Sequence, residues 1–64
     1  MKIFIERIQK TIEREFSGKV KDLLKSVDIN PNNVLVVRNN ELITEEDDVK
    51  NSDSVKILSV ISGG

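Results

Sequence analysis

The sequence predicts an α+β domain in which one helix packs across one face of a small mixed β-sheet. The first residues alternate between apolar and mostly polar positions with a period of two, which is typical of a half-buried strand. One apolar stripe with the period of a helix follows, and the second half of the chain contains three further apolar segments. The predicted order of elements is therefore β-β-α-β-β-β, with the helix burying its stripe against the sheet.

The first two strands form the N-terminal part of the predicted sheet. Alternate apolar residues define the first strand: Met1, Ile3 and Ile5. A turn at residues 8–10 leads to a second strand from Thr11 to Phe16, which Ser17-Gly18 ends. Arg14 falls on the apolar side of this second strand, where either its long stem or a β-bulge would accommodate it.

The helix is defined by four apolar residues at positions i, i+3, i+4 and i+7: Val20, Leu23, Leu24 and Val27. The helical region ends at Asn30-Pro31, because proline disfavours helical geometry in the residue before it. We expect Ile29 to fold back under the helix.

Three strands are predicted in the second half of the chain. Val34–Arg38 is apolar on both sides, which indicates an interior strand. The Asn39-Asn40 pair fits a tight turn into a short return strand, residues 41–43, because asparagine tolerates left-handed backbone angles. Residues 44–53 are polar, with Val49 as the expected anchor, and the final strand covers residues 54–61.

The composition argues against catalysis and against binding to nucleic acids or membranes. Ten Lys/Arg and eleven Asp/Glu leave a net charge of −1, and the chain has no His, Cys, Tyr or Trp. The usual general base and soft nucleophile are therefore absent, as are a basic excess and aromatic groups that stack bases. The acidic run at residues 45–48 lacks the ligand spacing of a calcium loop. We expect a cytoplasmic monomer that is not an enzyme and that binds no metal, nucleic acid or membrane.

Two glycines, Gly63 and Gly64, directly follow the final apolar segment. We predict one domain over residues 1–61 and a flexible tail over residues 62–64. A tail without Cβ atoms can enter a narrow tunnel and leaves its carboxyl carbon open to attack, which suits a protein whose reacting group is the terminal carboxylate. The alternative is a frayed end without function.

The order of elements and the terminal Gly63-Gly64 resemble a known family. The segment 1–5 is similar to the opening of ubiquitin, and the segments 34–41 and 55–64 resemble the ThiS/MoaD-like sulfur carriers. Within these the chain is most similar to small archaeal modifier proteins and the ubiquitin-related modifier. The resemblance covers essentially all of the chain and implies a β-grasp, ubiquitin-like fold.

The resemblance also implies a use for the tail. A partner enzyme of the ubiquitin-activating type would adenylate the Gly64 carboxylate with ATP, while Ser62 and Gly63 thread its tunnel, and the chain itself would bind no cofactor. The adenylate would become a thiocarboxylate that donates sulfur to an acceptor enzyme, in tRNA thiolation or thiamine synthesis, or an acyl group joined to lysines of target proteins. Molybdopterin-synthase subunits commonly carry Phe-Pro-Pro where residues 58–62 read Leu-Ser-Val-Ile-Ser, which argues against the molybdopterin role.

A docking surface is predicted from strand alternation alone. We expect the helix to cover a core face: Ile3, Ile5, Leu35, Val37, Val55 and Ile57. The opposite face would then carry four large apolar residues: Phe4, Val36, Leu58 and Val60. Contiguous exposed apolar groups tend to mark interaction sites, and the resemblance implies that this face engages the activating enzyme. The alternative is that loops or the tail cover these groups.

Two functions of different classes remain open at this point. One is a carrier or modifier that is activated at Gly64. The other is a β-grasp interaction module that binds partners without covalent chemistry and has an inert tail. Incubation with ATP and the activating enzyme would separate them, because only the first forms an adenylate.

Overall fold

The computed structural model describes residues 1–60 and confirms the predicted α+β class. A single helix, α1, lies against a five-stranded sheet whose order is β2-β1-β7-β4-β5. The strands are β1 Lys2–Ile5, β2 Lys10–Glu13, β3 Gly18–Lys19, β4 Val34–Arg38, β5 Glu41–Ile43, β6 Asp48–Val49 and β7 Ser54–Ser59, and the helix is α1 Val20–Ser26. Short 3-10 turns cover Glu6–Ile8 and Pro31–Asn33. The predicted end of the domain at residue 61 and the predicted tail lie outside the described residues.

The middle of the sheet is formed by the two terminal strands of the described chain. The first strand, β1, runs parallel to β7, with Ile3 opposite Val55 and Ile5 opposite Ile57. The other neighbour of β7 is the antiparallel strand β4. Because β7 has a partner on each side, its backbone groups are paired in both directions and the strand lies at the centre of the sheet.

The predicted helical stripe is confirmed and forms one side of the core. Val20, Leu23 and Leu24 are buried, and Val27 packs against them at the end of the helix. The first N–H groups of a helix have no partner inside it. Here the N–H of Val20 donates to the carbonyl of Asp47 at 2.9 Å and that of Lys21 to the carbonyl of Glu45 at 3.0 Å. The acidic loop therefore caps the helix through its backbone.

Ten buried apolar residues make up the core between α1 and the sheet. They are Ile3, Ile5, Val20, Leu23, Leu24, Val36, Ile43, Val49, Val55 and Ile57, and no polar residue is buried among those described. Val49, the expected anchor of the polar loop, is 1% exposed, and Ile29 packs against the core as predicted. Fully burying a side chain of this size stabilises the folded state by about 1.5–3 kcal/mol.

The tight turn between β4 and β5 is confirmed. Asn39 and Asn40 have φ angles of 49° and 69°, the left-handed pair that a two-residue hairpin requires. This turn fixes the register of the hairpin, with Arg38 opposite Glu41 and Val36 opposite Ile43. The Arg38 side chain lies 3.4 Å from the Glu41 carboxylate across the turn.

The structure differs from the expectation in the second strand. Strand β2 begins at Lys10 and ends at Glu13, so Arg14 lies beyond it and is exposed, while its N–H donates to the carbonyl of Met1 at 3.1 Å. No bulge or buried stem is needed for Arg14. The chain reverses direction earlier than predicted, through the 3-10 turn at Glu6–Ile8 and through Gln9, which has a φ of 50°.

Candidate functional site

The sheet face opposite α1 carries a continuous group of apolar side chains, which we call the open face: Phe4, Leu35, Val37, Leu42 and Leu58. Residues paired directly across neighbouring strands lie on the same side of a sheet. Leu35 is paired with Leu58, and Val37 is paired with Leu42. Phe4 lies in the row of Val37, because both are paired with Lys56 of β7.

The open face is accessible in the free domain. Leu35 is 44% exposed and Leu42 is 63% exposed, while Phe4, Val37 and Leu58 are half-buried among their neighbours. Large apolar groups on a solvated sheet face contribute little to folding when they stay exposed, and contiguous patches of them tend to mark interaction sites.

The structure places Phe4 and Leu58 on the predicted side of the sheet and contradicts the prediction at Val36, while the binding of a partner to this side stays a prediction. Val36 is 5% exposed and belongs to the core, because the register places it opposite Ile57 of β7 and Ile43 of β5, both of which are buried on the helix side. The adjacent residues, Leu35 and Val37, were expected in the core and lie on the open face instead.

The four apolar residues in a row explain this error. All four residues of Val34–Val37 are apolar, so both sides of this strand are apolar and the pattern cannot show which side faces the helix. The hairpin register was the missing signal. Leu35, Val37 and Leu42 were therefore missed by sequence reasoning, whereas Phe4 and Leu58 were placed on the correct face.

The described chain ends beside the open face, at the last residues of β7. The N–H of Ser59 donates to the Glu6 carboxylate at 3.0 Å, and the N–H of Val60 donates to the carbonyl of Asn33 at 3.1 Å. These two bonds come from opposite sides of the strand and fix the point from which the chain continues. Val60 is 42% exposed, as predicted for a residue outside the core. The predicted tail residues Ser62, Gly63 and Gly64 lie outside the described residues.

Two carboxylates of the polar loop at residues 44–53 accept hydrogen bonds within that loop. Among residues 1–60, no three metal-ligating side chains come together as a metal site. Asp47 accepts a hydrogen bond from the N–H of Thr44 at 2.8 Å, and Asp53 accepts one from the N–H of Lys50 at 2.8 Å. Both carboxylates therefore close turns of the loop.

The pKa of Asp53 is lowered from its ordinary value of 3.8. The main cause is the hydrogen bond from the Lys50 backbone, and the second is the Asn39 amide, which donates to the carboxylate at 3.0 Å. Both donors stabilise the ionised form of the carboxylate. The Asn39 side chain also accepts from the N–H of Ser54 at 3.0 Å, so this cluster joins the β4–β5 turn to the start of β7.

None of the helices within residues 1–60 combines the length and the apolarity that a crossing of the bilayer requires.

One helix packed on a mixed sheet, with parallel terminal strands at its centre, defines a β-grasp domain of the ubiquitin-like class. Two solved structures share this fold: a crystal structure and a solution structure of the thiamine biosynthesis protein ThiS from Geobacter metallireducens. The crystal structure superposes with a TM-score of 0.66 at 24% identity and covers 100% of both chains. The solution structure gives a TM-score of 0.60 at 26% identity and covers 100% of this chain and 88% of the other.

Sequence comparison gives the family. The ThiS family profile matches residues 3–64. The sulfur carrier protein TtuB of Thermus thermophilus is 38% identical over 56 residues, which are 88% of this chain and 86% of that protein. An uncharacterised protein of Archaeoglobus fulgidus is 40% identical over 62 residues, which are 95% of this chain and 91% of that protein. The chain belongs to the ThiS family of sulfur carriers.

Proposed function

We propose that this sulfur carrier is charged at the carboxylate of Gly64 by an ATP-dependent partner enzyme of the ubiquitin-activating type. The observation that carries the proposal is the ThiS family match over residues 3–64, which includes both terminal glycines. The similarity to a protein named as a sulfur carrier supports the same role. ThiS-type carriers are small carrier proteins rather than catalysts, so we assign all catalytic groups to the partner.

The chemistry requires an activated carboxyl group. A carboxylate is a poor electrophile, and its attack on the α-phosphate of ATP releases pyrophosphate and forms a mixed anhydride with AMP. A hydrosulfide equivalent held by the partner then attacks the carbonyl carbon, AMP leaves and a thiocarboxylate remains. The thiocarboxylate is the form that donates sulfur. Attack by a lysine amine on the same adenylate would instead give an amide with a target protein.

Two sulfur acceptors and one conjugation route belong to the proposal. The solved neighbours are described as thiamine biosynthesis proteins, which favours an enzyme of thiamine synthesis as the acceptor. A tRNA-thiolating enzyme is the second candidate acceptor, and lysines of target proteins are the third destination. The three are separated by where the sulfur or the Gly-Gly remnant is found after reaction in a cell extract.

The open face is the proposed docking surface for the activating enzyme. It lies on the sheet whose central strand, β7, leads into the C-terminal residues. The Glu6 and Asn33 contacts to Ser59 and Val60 fix the start of that segment relative to Leu58. A partner that covers the open face thereby receives the C-terminal segment at a defined position.

Deletion of Gly63 and Gly64 tests the chemical part of the proposal. We expect the deletion to abolish pyrophosphate exchange with ATP in the presence of the activating enzyme and to leave the melting temperature nearly unchanged. The intact mass of the carrier isolated from its native cell should show a fraction in which one oxygen is replaced by sulfur. A truncated protein that still supports exchange would exclude Gly64 as the reacting residue. Binding without any exchange by the full chain would support the non-covalent module instead.

Substitution of Leu58 by alanine tests the docking part. Affinity in protein interfaces is concentrated in a few large apolar anchors, so we expect Leu58→Ala to weaken binding to the activating enzyme roughly 10–100-fold. Saturating enzyme should then restore adenylation, because the carboxylate is unaltered. Lys25→Ala, on the exposed side of α1, is the matched control and should leave binding unchanged. Unchanged binding of a folded Leu58→Ala variant would remove the open face from the interface.

A further inference from the structure

We infer that the partner surface which covers the open face carries a carboxylate that pairs with Lys56. The partner is thus a protein whose contact surface is apolar around one aspartate or glutamate. This inference rests on the proposed docking function and specifies the chemistry of the partner that this function requires.

Lys56 lies in the middle of the open face. In the sheet it is flanked by Phe4 on β1 and by Val37 on β4, and Leu58 follows two residues later on the same side of β7. Beyond Val37, the same row continues to Leu42 on the edge strand. Lys56 is therefore a cation with apolar neighbours on three sides, while the other lysine on this side of the described sheet, Lys2, lies at the start of β1, opposite Ser54.

The charge of Lys56 is not used inside the described domain. The ion pairs among residues 1–60 are Lys21 with Glu46 and Arg38 with Glu41, and neither includes Lys56. The side-chain hydrogen bonds of the same residues likewise leave out the Lys56 ammonium; Lys19 is the lysine that donates, to the carbonyl of Glu46 at 3.3 Å. In the free domain the Lys56 ammonium is exposed to water, which satisfies it.

Docking changes this situation, because a partner that covers Phe4, Val37 and Leu58 also removes water from the lysine between them. Burying an ammonium group without a partner is costly, and lysine is depleted in interface centres for this reason. A carboxylate on the partner offsets the loss of hydration and selects against surfaces that lack it. Docking on the open face therefore requires apolar contact and also a carboxylate on the partner beside Lys56.

The same residue argues against two other occupants. A symmetric dimer formed through the open face would bring the Lys56 side chains of two copies together at its centre, and like charges placed opposite each other are destabilising. Binding of nucleic acid through this face would need several cations to neutralise phosphates, whereas Lys56 stands among apolar groups and the chain carries a net charge of −1. An acidic protein surface is the occupant that fits.

The test compares Lys56→Met and Lys56→Glu with Lys25→Met, each titrated against the activating enzyme of the same cell. Methionine keeps the apolar stem of lysine and removes its charge. Because truncation of one member of a buried charge pair leaves the other unpaired, we expect Lys56→Met to weaken binding roughly 10–100-fold and Lys56→Glu to weaken it further. Lys25→Met makes the same chemical change on the helix side and should leave the affinity unchanged. Thermal melts establish that each variant is folded.

The outcomes separate this inference from the docking proposal. If Leu58→Ala weakens binding while Lys56→Met leaves it unchanged or tightens it, the face docks but no carboxylate meets Lys56, and the inference is wrong. If Leu58→Ala and Lys56→Met are both without effect, the docking proposal itself fails. A partner variant that lacks one acidic residue should show the same loss of affinity as Lys56→Met. If the two changes combined cause no further loss, that acidic residue is the one that pairs with Lys56.

Discussion

The two faces of the sheet are built from the same kinds of residue but differ in what covers them. On the helix side, Ile3, Ile57 and Val55 are at most 1% exposed, because α1 and the loop anchor Val49 pack over them. On the open face, Leu35 and Leu42 are 44% and 63% exposed. Hydrophobic stabilisation is proportional to the apolar area that is removed from water. The helix side therefore holds the fold together, while the exposed leucines of the open face contribute little to it.

This difference has a consequence for a domain of 64 residues. A chain of this length buries roughly 60% of its unfolded surface and has little stability to spare. Leaving leucines exposed lowers solubility and adds little to folding. The proposed docking function accounts for their retention on one face. If that proposal is right, stability depends on the helix side and binding depends on the open face.

The largest expected effect is the loss of stability in Leu23→Ala. Leu23 is 0% exposed in the centre of the helical stripe, so the substitution should cost about 2–5 kcal/mol through lost burial and the cavity left behind. The matched change on the other face, Leu42→Ala, should cost less than about 1 kcal/mol. Urea denaturation of both variants measures the two costs. Equal losses would contradict the division of roles between the faces.

Two neighbouring valines give a finer comparison. Val36 and Val37 are consecutive in β4 and point to opposite sides of the sheet, so alanine substitution lowers the strand propensity equally at both positions. We expect Val36→Ala to cost about 2 kcal/mol and Val37→Ala to cost at least about 1 kcal/mol less, because Val36 is 5% exposed against the helix. Denaturant midpoints with a common slope give the difference. The reverse order would mean that the strand faces the other way.

The smallest expected effect is the acid dependence that Asp53 confers. Its pKa is lowered in the folded state from the ordinary value of 3.8, so the ionised carboxylate contributes its full stabilisation at pH values above 3.8. This contribution is lost as the pH falls through the lowered folded pKa. Asp53→Asn should therefore be less stable than the unaltered chain at neutral pH, and the difference in the free energy of unfolding should narrow as the pH falls below 3.8. Chemical denaturation at a series of pH values measures this difference, and a difference that stays constant with pH would contradict the role of the charge.

Much of the fold could be predicted from the sequence because several local signals agree. The helical stripe of Leu23 and Leu24, the alternation of Ile3 and Ile5 and the Asn39-Asn40 turn each act over a few residues, where periodicity and backbone preference decide the conformation. The class of the domain follows from their order. The paired segments β3 and β6 were not predicted, because two residues each are too short to give a periodic signal.

The residues of the open face were harder to predict, for a different physical reason. Which side of β4 faces the helix depends on its register with β7 and β5, and register is a property of contacts between distant segments. In β7 itself the polar residue Lys56 between Val55 and Ile57 marks the outward side, so Leu58 was assigned correctly. In β4 no polar residue interrupts Val34–Val37, and the assignment of Val36 failed for that reason. The terminal glycines were recognised from the sequence, and their role remains a proposal.

The central position of β7 also has a mechanical meaning. Hydrogen bonds between strands lie across the strand direction, so tension applied along β7 from its C-terminal end loads the bonds to β1 and β4 together. An edge strand such as β5 has bonds on one side and can be peeled away one bond at a time. Under the proposed function, an enzyme that draws the residues beyond Val60 towards its nucleotide would therefore load both neighbouring strands at once. The hydrogen bonds on both sides of β7 share that load, so the domain resists it as one unit.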